Sequence, residues 1–142
     1  MLVRLLYASN SAKPVTAATI ESILEQSRKH NPKLGITGIL CQSGDTFMQV
    51  LEGGRTAVNL LYNDIVRDPR HKNVVVLHYE EIEQRQFGGW TMGQVNLSKV
   101  NPSTLLKYSE TTLLDPYSMS GQASMALLKE LIATAQIVGR SS

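Results

Sequence analysis

An α+β sandwich of ferredoxin-like topology is the fold this chain predicts, and three observations carry it. Residues 2–7 and 46–52 read as strands, with Val3, Leu5 and Tyr7 on one face of the first and Phe47, Gln49 and Leu51 on one face of the second. Two intervening stretches carry apolar residues at helical spacing. The elements follow one another as β-α-β-β-α-β-β, an order that lays both helices on one sheet face. A helical extension follows the last strand.

The elements are taken in order. After strand 2–7, Ser9-Asn10-Ser11-Ala12-Lys13-Pro14 reads as a polar loop. Thr16 then caps a helix reaching His30, with Ile20, Ile23 and Leu24 on its buried stripe. Ser27 continues that stripe, either as room for a ligand or as a helix end leaving the core. Asn31-Pro32 ends the helix, because a residue before proline disfavours helical geometry. Strands at 36–42 and 46–52 flank Ser43-Gly44-Asp45 and form an antiparallel hairpin. Gly53-Gly54 breaks the strand. A second helix over 55–67 carries Val58, Leu61, Tyr62 and Ile65, and Asp68-Pro69 stops it. A β-rich run covers 74–79, and Gly88-Gly89 precedes a last strand at 91–96.

The tail holds a short helix over 102–109, a connecting loop over 111–118 with Pro116, and a longer helical stretch over 119–138. Met125, Leu128, Ile132 and Ala135 form its apolar stripe, and Gly139 is its stop. This divides the chain into a domain at 1–98 and an extension at 99–142, which covers the other sheet face or offers a partner surface.

Composition narrows the classes. With 142 residues, 42% hydrophobic and 18% charged, the chain is long enough to bury its own core. A net charge of +2 without any block of like charge gives nucleic-acid binding no support. The one cysteine, Cys41, lies in an apolar strand and reads as a buried thiol, which suits a reducing compartment. No signal-peptide layout and no run near ~20 apolar residues is present, so a soluble cytoplasmic protein without membrane contact is expected. His30, His71 and His78 lack metal-ligand spacing, so no metal site is expected.

Several polar residues stand out against this background. A glutamine between Phe47 and Leu51 carries donors and an acceptor that need partners if buried; the Tyr7 hydroxyl is one partner and a polar ligand another. Asn31 either ends a helix or presents a donor–acceptor pair to a ligand edge. Asp68, Arg70 and His71 directly follow the second helix and are either surface groups or ligand contacts. His30 is either a second ring neighbour or an exposed histidine at a helix end. Under simple alternation Trp90 and Met92 share a face, either flanking Gln49 or closing the sheet edge.

Taken in order, Tyr7, Asn31 followed by Ile36-Thr37-Gly38, Gln49, Asp68-Pro69-Arg70-His71 and Phe87-x-x-Trp90-Thr91-Met92 resemble a BLUF domain, the flavin-binding blue-light sensor family. The resemblance covers about residues 2–96. It implies noncovalent FAD, with FMN or riboflavin as other forms, held by Asn31, Gln49, Arg70 and His71. Ile23, Ile36, Ile65, Asp68 and His30 would stand around it. It also implies that Tyr7 passes an electron and a proton to the excited flavin and that Gln49 then changes its hydrogen bonds. Trp90 and Met92 would carry the change to the tail, whose output is a homo-oligomer or an unidentified downstream protein. No catalytic output is implied. The rival readings are a chromophore-free ferredoxin-like interaction module and an acylphosphatase-like hydrolase, whose phosphate-cradling loop is not found.

Overall fold

The structure is a computed structural model that describes residues 1–134 and 136–139. Its elements are β1 (Leu2–Ser11), α1 (Ala17–Leu34), β2 (Thr37–Ser43), β3 (Thr46–Gly54), α2 (Arg55–Arg67), β4 (His71–Ile82), β5 (Gly93–Asn96), α3 (Pro102–Leu106) and α4 (Gly121–Ala133). The five strands lie in the order β4-β1-β3-β2-β5. All pairs are antiparallel except β2 with β5. The sheet with α1 and α2 on one face is the ferredoxin-like sandwich the element order predicts.

Alternation along the central strands builds two cores. Val3, Leu5, Tyr7, Phe47 and Leu51 face α1 and α2 and pack with Ile20, Leu24 and Val58. Leu6, Met48 and Val50 face the other way and meet Leu127, Leu128 and Leu131 of α4. The tail therefore covers the second face of the sheet. The β2–β3 hairpin closes through Gly44 and Asp45, with Ser43 opposite Thr46 and Gly44 at φ +56°. Gly38 is required by close approach, since a Cβ there would lie 2.0 Å from the Val50 carbonyl oxygen.

Four local expectations are corrected. β1 continues through Ser9, Asn10 and Ser11, because their polar side chains find cross-strand partners. Ser9 Oγ meets His71 Nδ1 at 3.1 Å, and the Asn10 amide bonds Thr46 Oγ1 at 3.2 Å and Asn73 at 3.1 Å. β4 is correspondingly longer, pairing with β1 from Ser11–His71 to Leu2–Ile82. The first helix does not stop at Asn31-Pro32. It runs to Leu34 and ends on Gly35 at φ +69°, whose N–H, with that of Ile36, satisfies the last carbonyls at Pro32 and Asn31. A left-handed glycine cap outweighs the preference of the residue before proline. Finally, α4 ends at Ala133, not Val138, and Val138 instead bridges to Gln94. Ala135, placed on the tail stripe by sequence, lies outside the described residues.

Candidate functional site

A cavity of about 220 Å³ opens between α1 and α2 over the middle of the sheet. Tyr7 of β1 and Gln49 of β3 form its floor, directly opposite each other in the β1–β3 register. They are 2% and 5% exposed, so each polar group must find its partner inside the protein. Tyr7 Oη donates to Gln49 Oε1, and Gln49 Nε2 donates to Met92 Sδ at 3.3 Å. Burial pushes the Tyr7 phenol far above its ordinary pKa, with a smaller contribution from Tyr62, whose ring meets Tyr7 edge-on at 5.8 Å. The phenolate is thus strongly disfavoured.

Each wall comes from a separate element. Helix α1 contributes Ile23, Ser27, His30 and Asn31, and α2 contributes Leu61 and Ile65. Because α1 continues past Asn31, that residue keeps its helical direction and is buried on the cavity side. Its Nδ2 has no hydrogen-bond partner. The segment after α2 supplies Asp68, Arg70 and His71. Asp68 accepts two bonds from Arg70 Nε, at 3.0 and 3.1 Å, and one from Nη2 at 2.7 Å. Those hydrogen bonds hold the Asp68 carboxyl below its usual range and raise Arg70. His71 is half-buried, edge-on to Phe47, and burial lowers its pKa so that the ring stays neutral near pH 7.

Most of the residues singled out by sequence meet here. Tyr7, Ile23, His30, Asn31, Gln49, Ile65, Asp68, Arg70 and His71 all line the one cavity. Ile36 does not line it; its side chain packs beneath the sheet-facing core beside Gly53. Trp90 and Met92 do not share a face. β5 begins only at Gly93, and the bend through Thr91 sends Met92 to Gln49 and Trp90 into the core under α4. Ser27 does line the cavity, so its polar break in the α1 stripe marks space.

Sequence reading missed a buried ion pair on the opposite face. Arg4 and Glu52 oppose each other in the β1–β3 register, with Nη2 to Oε2 at 2.6 Å. Glu52 also accepts the backbone N–H of Gln86 at 3.1 Å and of Phe87 at 2.6 Å, anchoring the loop that leads to Met92. Arg4 reaches Glu80 as well. The only signal was a charged residue in each of two apolar strands. Cys41 is buried on this face, its thiol pushed up to about 12, and is chemically quiet.

These residues suit a planar, uncharged ring with a polar edge. Orphaned Asn31 offers a donor, Arg70 offers charge, and the apolar side chains of α1 and α2 can cover the ring faces. Among the described residues no helix is long and apolar enough to cross a membrane.

Comparison with known proteins agrees. Residues 2–93 match the family described as "BLUF: Sensors of blue-light using FAD". The photoactivated adenylate cyclase subunit beta of Euglena longa is 35% identical over 92 residues, 64% of this chain and 11% of that protein. The blue light- and temperature-regulated antirepressor BluF of Escherichia coli strain K12 is 35% identical over 88 residues, 62% of this chain and 22% of that protein. The chain thus spans under a quarter of the length of these curated relatives. The dark-state structure of BlrB, a BLUF protein, superposes with a TM-score of 0.79 at 34% identity, covering 94% of this chain and 96% of BlrB.

Proposed function

The chain belongs to the BLUF family of blue-light sensors using FAD, and on that premise we propose that it is a photoreceptor whose response starts at Tyr7 and Gln49. The carrying observation is the buried hydrogen bond between these two residues on the floor of a cavity lined by unsatisfied Asn31. In a chromophore-free module that amide nitrogen would need a water in the cavity, since leaving it unpaired costs on the order of 1–3 kcal/mol.

FAD is the cofactor of this reading, with FMN and riboflavin as forms that offer the same ring. Asn31, Gln49, Arg70 and His71 would hold the ring, Asp68 fixing the Arg70 fork. Ile23, Ile65 and His30 would border it, with Ile36 supporting the sheet side. When bound, the flavin absorbs blue light and, once excited, accepts an electron and a proton.

Tyr7 supplies both. Its buried phenol cannot persist as a charged species, so loss of the electron and of the Oη proton belong together. Without that proton Tyr7 no longer donates to Gln49 Oε1, and the amide is free to turn. In the turned state Nε2 points to Tyr7 and Oε1 to the Met92 sulfur, which has no hydrogen to give. Tyr7 then regains its electron and proton. A net hydrogen-bond difference of ~1 kcal/mol between the two amide orientations changes their populations about fivefold. Met92 registers that change because its sulfur contacts the amide.

Output is read as passing from Met92 and β5 into the extension at 99–142, and from there to a homo-oligomer or a downstream protein in the cytoplasm. The 142 residues act as a sensor without catalysis of their own in this reading. The test is an absorption spectrum of the purified protein before and after blue illumination. A bound flavin with a reversible red shift is expected, and Tyr7→Phe should keep the flavin and lose the shift. A Phe variant that photocycles normally removes Tyr7 from its role.

A further inference from the structure

Beyond α4 the chain returns to the sheet. Gln136 N–H donates to the Leu131 carbonyl at 2.9 Å, turning the segment back. Val138 then pairs with Gln94, the N–H of each donating to the carbonyl of the other at 3.0 Å. β5 ends the sheet order with β2 on its other side, so Val138 sits on the free edge. Ile137 packs against the core under α4, while Val138 is 66% exposed. Gly139 has φ +87°, and a Cβ there would lie 2.7 Å from Arg28 Nη2. Exposed Arg28 reaches from α1 past Gly139 and donates Nε and Nη2 to the Met92 carbonyl at 3.3 and 3.2 Å.

We propose that residues 136–139 form a displaceable strap on the β5 edge, and that the position of Met92, transmitted through Arg28, decides whether the strap stays seated. This rests on the reading of Tyr7 and Gln49 given above. The two ends of the Met92 residue face different neighbours. Its sulfur touches the Gln49 amide, and its carbonyl holds the guanidinium that abuts Gly139. A shift of Met92 that follows the amide therefore moves the Arg28 anchor. The strap is lightly held to the sheet: among the described residues, two backbone hydrogen bonds to Gln94 and one partly buried side chain, with Gln136 tied back to α4, oppose the entropy of ordering four residues. Segments of this kind open locally while the rest of the fold stays intact.

Hydrogen–deuterium exchange on the flavin-loaded full chain, in darkness and under blue light, tests the strap. The Gln94 and Val138 amides are expected to exchange about tenfold faster in the light, with the α4 amides unchanged. Equal rates in a sample whose flavin band shifts normally overturn the strap and leave the Tyr7–Gln49 reading standing. Absence of the band shift overturns that reading and, with it, the light control of the strap. Gly139→Val supplies the second arm, because it strains the left-handed backbone and crowds Arg28. It should raise the dark exchange of Gln94 about tenfold with an unaltered flavin spectrum. Unchanged dark exchange in this variant also overturns the proposal.

Discussion

On the α1/α2 face of the sheet, Tyr7, Gln49 and Asn31 surround a cavity, and one of their polar atoms has no partner. On the α4 face, three residues away along each strand, buried Arg4 and Glu52 satisfy one another. Both pairs stand in the same β1–β3 register, Tyr7 opposite Gln49 and Arg4 opposite Glu52. The difference lies in what covers them. α1 and α2 stand apart over neutral polar groups that can exchange partners. The Gln86–Phe87 loop closes over charged groups, with the Arg4 guanidinium 5.9 Å from the Phe87 ring centroid, and these stay together because a buried charge without its counter-ion is costly. In the proposed switch, rearrangement starts on the first face, and the ion pair on the second provides the frame against which Met92 would move.

The largest break in this contrast comes from the frame. Glu52→Ala removes the buried partner of Arg4, leaving it only the part-exposed Glu80, and frees the N–H groups of Gln86 and Phe87. A loss of about 3–5 kcal/mol in urea unfolding is expected. A loss below ~1 kcal/mol would mean that water reaches Arg4 and the two faces are not so different. Next comes Asn31→Ala. It removes an orphan, so the flavin-free protein should be no less stable and up to about 1–3 kcal/mol more stable, whereas flavin affinity measured by fluorescence titration should fall about tenfold. Equal affinity in both proteins would take Asn31 out of the ring site.

Acidification has the smallest effect and acts on the open face first. Burial holds the His71 pKa below its ordinary 6.5, so on lowering pH the unfolded chain takes up the proton before the folded one. The associated stability is fully present above pH 6.5 and is lost as pH falls through the folded value. Asp68, lowered by Arg70, adds a loss of the same sign below 3.8. Thermal midpoints followed downward from pH 8 should therefore begin to decline below about 6.5, and His71→Phe should flatten that first decline. An identical profile in the variant would assign the decline elsewhere.

The sheet and both covering helices are legible in the chain because periodicity is a local property. The α2 boundaries coincide with the predicted 55–67, where Gly54 and Asp68-Pro69 bracket the pattern. What escaped depends on contacts distant in sequence. Ser9 and Asn10 look like loop until His71, Thr46 and Asn73 are placed beside them. Asn31-Pro32 looks like a stop until Gly35 supplies a stronger one. Trp90 and Met92 look alike until the bend before β5 separates them, and alternation has no way to report a bend. At the candidate site the polar residues were visible as exceptions in apolar patterns. Arg4 and Glu52 were exceptions of the same sort, but their pairing needs the register of two strands 48 positions apart.

The two-residue hairpin at Gly44 and Asp45 fixes the phase of β3 against β1 and β2. One residue of slip along β3 would turn every side chain to the other face, setting Met48 or Val50 opposite Tyr7 and burying the Gln49 amide in the apolar core of the α4 face. Loop engineering of this protein thus has a forbidden address, and grafts or tags belong elsewhere.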